Sequence, residues 1–174
     1  MWNSFIVVFV LMAAFADVRW RRIPRTLTVP AFAAGLIVHW ALQSKLPWVA
    51  HYGDFLSAAA TALLAFAVGL ALFSLGAIGG GDVKLITALG AMLGFELWIV
   101  AMEIAILTAA FIGVVQIVRH HVVVQTLRNV VVILKSWLTS GFRPHPVINV
   151  KNAALVRSPF AVAAAVGTLF AVFR

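Results

Sequence analysis

From residue 55 to residue 75 the chain runs FLSAAATALLAFAVGLALFSL without one charged side chain, and that run constrains everything around it. A helix of this length rises about 30 Å at 1.5 Å per residue, the thickness of a bilayer's hydrocarbon core. Further apolar segments lie at residues 2–16, about 27–42, about 83–95, about 97–118 and about 159–173. Charged residues make up 10% of the chain, against about 25% in a soluble domain, and the mean hydropathy is +1.08. The expected fold is an all-α polytopic membrane protein of about six transmembrane helices. Its 174 residues leave no room for a separate soluble domain, so residues 1–174 are expected to form a single membrane domain.

The charges predict how the segments are oriented. The first segment is followed at once by Asp17 and by Arg19, Arg21, Arg22 and Arg25, which places the N-terminus outside. A secretory signal competes for this stretch, since Ala14-Phe15-Ala16 resembles a cleavage site. Such a signal carries its basic residues before the apolar core, and none are there, so the segment is read as retained. With six spans, Lys45 and Arg174 fall outside and the other eleven of the 13 basic residues fall inside. Residues 119–157 are basic with apolar residues interleaved in VVVQTLRNVVVILKSWL, and read as a cytoplasmic interfacial amphipathic helix. Spanning there would place Arg128 in hydrocarbon at a cost of about 2.5–3.5 kcal/mol. The net charge of +8 is therefore assigned to topology and to contacts with anionic membrane lipids, and no nucleic-acid partner is expected. The absence of cysteine excludes disulfides, thiolate metal sites and a cysteine nucleophile.

Of the 5 acidic residues, Asp17 and Asp82 alone are expected to share a membrane face and special surroundings. Asp54 belongs to an outer turn with Lys45, Pro47, His51 and Gly53, Glu96 lies at that same outer face, and Glu103 pairs with a base or lines the bundle. An ionised, unpaired aspartate near a membrane interior costs several kcal/mol, so it calls for a partner, a polar cavity or a catalytic role. Two neighbouring carboxyls can hydrolyse a peptide, because like charges at close range leave one protonated and one ionised. The ionised group activates water, and the protonated one polarises the carbonyl and helps the amine leave. Neither metal nor organic cofactor is required. Before Asp82, Gly79, Gly80 and Gly81 permit positive φ and allow an extended substrate to approach without Cβ clashes. On glycines alone the simplest reading is a flexible turn. The run lacks the ending of a phosphate-binding loop.

The segment GGGDVKLITALGAMLG resembles the Gly-x-Gly-Asp segment of type IV prepilin peptidases, which continues with Val-Lys-Leu and a small-residue helix. ADVRWRRIP resembles the first catalytic segment of that family, and SPFAVAAAVG resembles its Pro-Phe helix opening, here Pro159 and Phe160. The resemblance implies Asp17 and Asp82 as the catalytic pair. It also implies a prepilin substrate, cut where its basic cytoplasmic leader meets its apolar helix, in a bacterial cytoplasmic membrane. Arg25 stands where the family usually has asparagine after Ile-Pro. The cysteine-containing insertion of the bifunctional members is absent, so the chain resembles the short forms serving tight-adherence (Flp-type) pili, and methyltransferase activity is not carried over.

Lys84 either pairs with a carboxylate and tunes it or snorkels to the headgroups. The arginines at 19, 21, 22 and 25 are read as topology and lipid contacts, because a basic leader would be repelled by them. His120, His121 and His145 lack metal-ligand spacing, and Ser74, Ser136, Ser140 and Ser158 show no serine-protease pattern. Trp2, Trp20, Trp48, Trp98 and Trp137 read as an aromatic belt. Two alternatives stay open: an intramembrane aspartic protease with another single-span substrate, and a small transporter or assembly scaffold whose aspartates carry protons or hold a salt bridge. The sequence does not fix the oligomeric state.

Overall fold

A computed structural model of the chain describes residues 2–42, 54–140 and 159–174. Lys45, Pro47, Trp48, His51, Gly53, His145 and Ser158, singled out above, lie outside the described residues, as do residues 141–157 of the basic segment. The described residues form six helices and no strand: α1 (Trp2–Trp20), α2 (Arg25–Leu42), α3 (Phe55–Ser74), α4 (Gly80–Arg119), α5 (Val123–Ser140) and α6 (Phe160–Phe173). Trp2–Trp20, Phe55–Ser74 and Gly80–Arg119 are long and apolar enough to cross a membrane. The chain is a helical membrane protein, as its composition requires.

The first helix runs further than the apolar segment. It continues through Asp17 to Trp20, because hydrophobicity ends at the first charge whereas backbone hydrogen bonding does not. It stops at Arg21, which takes the left-handed conformation (φ 50) and returns its N–H to the Asp17 carbonyl at 2.8 Å. Asp54, expected as a solvated turn residue, caps α3 by accepting the Ser57 N–H at 2.8 Å.

The helix α4 is folded. At Gly94, φ is 67 and ψ is 178, a combination that essentially only glycine adopts, and it divides the helix into arms 80–93 and 95–119. The Trp98 indole N–H donates to the Ile86 carbonyl at 3.2 Å, although the two residues are 12 apart in sequence. In a straight helix they would be separated by about 18 Å. The second arm therefore turns back beside the first, and the break lies at the end of the apolar segment expected at about residues 83–95.

The first arm packs against α2 and α3, and the second against α6. Ile6, Phe9 and Val10 of α1, Leu85, Leu89, Met92 and Leu93 of the first arm, Ala101 of the second and Ala164 of α6 share one core. Small residues bring the helices close, as is usual where lipid gives no hydrophobic drive to association. A Cβ on Gly167 would overlap the Ala101 carbonyl and lie 2.8 Å from the Ala105 nitrogen. Large apolar side chains such as Leu63, Leu107, Phe111 and Phe173 face outward, as in a protein solvated by lipid.

Two expectations change, and a third is met. Trp2 and Trp98 are buried (7% and 8% exposed), so they belong to the core rather than to an aromatic belt, whereas Trp20 is exposed. Glu103 is exposed on the second arm and does not line the bundle. The basic segment does form a helix, α5, in which apolar and polar residues segregate more than in any other helix; Val124, Leu127 and Val131 remain uncovered on one face.

The turn at Gly94 yields a stability prediction. Gly94→Ala should cost about 1–3 kcal/mol, the strain of a side chain in that backbone region. Gly113→Ala, where an added Cβ meets nothing within 4 Å, should be neutral or mildly stabilising. Unfolding in mixed detergent measures both, and equal losses would contradict the folded-back helix.

Candidate active site

Asp17 extends the buried stripe of α1. Val10 and Ala13 face the core, and residue 17 follows them at helical spacing, half-buried at the inward side. Its partner comes from the other end of the chain. The Ala161 N–H, in the first turn of α6, donates to Asp17 Oδ2 at 3.1 Å. The first N–H groups of any helix lack partners within the helix, and a carboxylate there also meets the positive end of the helix dipole. Pro159, at φ −71, opens α6 and leaves this turn facing α1.

Asp82 sits in the first turn of α4 and is half-buried. The Gly79 N–H, at the N-cap, donates to Asp82 Oδ2 at 3.0 Å. The connection between α1 and α2 seats this turn: Ile23 is buried (7% exposed) and lies 3.5 Å from where a Gly81 Cβ would be. Both aspartates are thereby fixed at one end of the bundle, each on the N-terminus of a helix. They are close enough for the charge on Asp17 to act on Asp82, and the Arg21 guanidinium acts on Asp17 in turn.

The glycines before Asp82 contribute differently from the sequence expectation. Gly80 and Gly81 are already helical, and the positive-φ glycines are Gly76 and Gly94 instead. Of the three, Gly79 bears most directly on the carboxyl, since a Cβ there would lie 3.2 Å from Asp82 Oδ2. Cβ atoms at Gly80 and Gly81 would meet Phe73 and Ile23 at ordinary contact distances. Lys84 is half-buried and is not among the groups acting most strongly on either carboxyl. His120 and His121 are exposed at the far end of α4, and the described residues contain no group of three histidines or carboxylates able to hold a metal.

Sequence reading did not identify Ala161 and Ile23 as parts of this arrangement. Pro159-Phe160 marked a helix opening and Ile23-Pro24 closed the segment that carries the first resemblance, but neither pattern states which side chain its backbone or apolar surface will meet. The assembled parts are two carboxyls, two backbone donors and a nearby guanidinium. Two carboxyls, one protonated and one ionised, are the groups that addition of water to a carbonyl needs.

The Asp17 hydrogen bond makes a prediction of its own. Asp17→Ala removes the acceptor from the first turn of α6, whereas Asp17→Asn keeps a side-chain oxygen there. The alanine variant should be less stable than the asparagine variant by about 1 kcal/mol, the usual worth of a helix cap. Thermal unfolding in detergent reads the difference, and equal stabilities would mean that the bond does not fasten α6 to α1.

Comparison with known proteins places the chain in a family. The type IV leader peptidase family matches residues 4–114, which include both aspartates and the glycines before Asp82. Prepilin peptidase EppA of Methanothermobacter thermautotrophicus is 35% identical over 86 residues, 48% of this chain and 21% of that protein. The match thus spans about a fifth of the relative's length. No solved structure matches the chain.

Proposed function

The chain belongs to the type IV leader peptidase family, and from that premise we propose that it is a membrane-embedded aspartic endopeptidase that removes the leader from Flp-type prepilins. The observation that carries this reading is the placement of Asp17 and Asp82 at one end of the bundle, each held through Oδ2 by a backbone N–H. In the proposed reaction the ionised carboxyl takes a proton from water as that water attacks the scissile carbonyl. The protonated carboxyl hydrogen-bonds the carbonyl oxygen, and a proton passes to the leaving nitrogen as the C–N bond breaks. No residue is covalently modified, and both carboxyls return to their starting state.

The positive-inside rule supports placing this end of the bundle at the cytoplasmic face of a bacterial inner membrane, with the N-terminus outside. A prepilin arriving there keeps its leader in the cytoplasm and its apolar helix in the membrane, with the cut at their boundary. The first arm of α4, residues 80–93, supports a cut near that depth. Its rise is about 20 Å against a hydrocarbon core of about 30 Å, so one end lies within the hydrocarbon or the bilayer thins to meet it. The helix α5, with its uncovered apolar face and with Arg128 and Lys135, is suited to lie on anionic lipid at the same face.

Co-expression with an Flp-type prepilin tests the proposal. The wild type should yield a shortened pilin with one defined N-terminus. Asp17→Asn and Asp82→Asn, which keep an oxygen for their backbone donors, should insert normally and cleave at least about a hundredfold more slowly, the range of a lost acid–base group. Near-normal processing by either variant would sink the paired-carboxyl mechanism.

A further inference from the structure

The helices fall into two groups, and each group carries one aspartate. Both α2 and α3 meet the first arm of α4 at glycines. A Cβ on Gly35 would fall 2.6 Å from the Ala91 carbonyl oxygen, and a Cβ on Gly90 would fall 3.1 Å from that of Thr61. On the other side, α6 meets the second arm at Gly167, and α1 lies along α6. Asp82 therefore belongs with α2, α3 and the first arm, and Asp17 with α1, α6 and the second arm.

The seam between the two groups is built differently from the seams within them. The backbones of α1 and α4 stay more than 8 Å apart over almost their whole length, and α1 scarcely meets α2. Side chains fill the space between: Ile6, Phe9 and Val10 from α1 share a core with Leu85, Leu89 and Met92 from the first arm, all of them buried. Backbones in contact lose their packing outright when they part, whereas side chains can turn aside and have their contacts replaced by other apolar groups. The hydrogen bond from Trp98 to Ile86 joins the two arms of α4 to each other and does not bind α1 to the first arm.

We infer that the apolar helix of the precursor lodges in this seam, between α1 and the first arm of α4, an inference that rests on the peptidase reading above. A scissile bond attacked between the carboxyls leaves the rest of the precursor's helix to run outward from them, and this seam runs outward from both. Ile6 precedes Asp17 by 11 residues and Met92 follows Asp82 by 10, so the walls of the seam extend about 15 Å from the carboxyls, roughly ten residues of helix. The precursor's side chains take over the contacts that residues such as Phe9 and Leu89 give up. One apolar packing is exchanged for another, which lipid neither drives nor opposes. Recognition in the membrane is then by the shape of one helix face and needs no hydrogen bond.

The test uses the full chain in vesicles and a prepilin with a photo-crosslinking side chain at one of four successive positions, a full helical turn, two turns beyond the cut. The Asp82→Asn chain, in which cleavage should be slow, holds the precursor while the label is activated, and mass spectrometry maps the adducts. Adducts are expected on residues 2–16 of α1 and 83–93 of α4, from at least two of the four positions, and excess unlabelled precursor should abolish them. Adducts on the outward surfaces of α3 or the second arm, around Leu63, Leu107 and Phe111, would overturn the inference. So would the absence of adducts from all four positions, which would leave the seam to its own side chains or to lipid. The wild-type chain is run alongside with the unlabelled precursor. If it makes no cut, the peptidase reading fails and the inference with it, whereas a normal cut with adducts elsewhere overturns the inference alone.

Discussion

One hydrogen bond joins the two ends of this chain: the Ala161 N–H to Asp17 Oδ2, across 144 residues of sequence. In a bilayer a helix terminus cannot rely on water, so the first turn of α6 needs an acceptor and a half-buried carboxyl needs a donor. Each answers the need of the other. The contact of Ile23 with Gly81 completes the arrangement by seating the α1–α2 connection on the first turn of α4. Remove either contact and Asp17 and Asp82 remain on the same membrane face but lose their fixed relation.

The remainder of the bundle serves that relation. Small residues allow the second arm of α4 to approach α6 at Gly167, which sets where the first turn of α6 falls relative to α1. The fold at Gly94 brings the second arm back beside the first, so α4 covers two sides of the core with one continuous stretch of chain. Lipid supplies no apolar driving force between these helices, and close packing takes its place. The proposed active site is accordingly built from helix ends, where backbone donors are free, instead of from side-chain networks in the middle of the membrane.

Much of this was legible in the sequence, and the reasons differ by residue. The uncharged runs give the helices because hydrocarbon tolerates few alternatives, and the basic residues place Asp17 and Asp82 at one face because charge sets topology. Gly94 could be suspected from the shortness of the segment before Glu96, but a glycine in a helix does not reveal its φ. The extent of α1 was underestimated because the apolar boundary at Ala16 is not a backbone boundary. Trp2 and Trp98 near segment ends look like interfacial anchors, and only tertiary packing shows them buried. The role of Ala161 was hidden for a deeper reason. Its contribution is a backbone N–H, which every residue but proline possesses, so nothing in its identity distinguishes it.

The account turns on two carboxyls sharing one proton, and the pH dependence of kcat/KM for prepilin cleavage in vesicles tests this most directly. If one carboxyl must be protonated and the other ionised, the profile is bell-shaped, falling at low pH when both are protonated and at high pH when both are ionised. A profile that rises once and stays level across the range in which the protein remains folded would point to a single essential base and contradict the paired site.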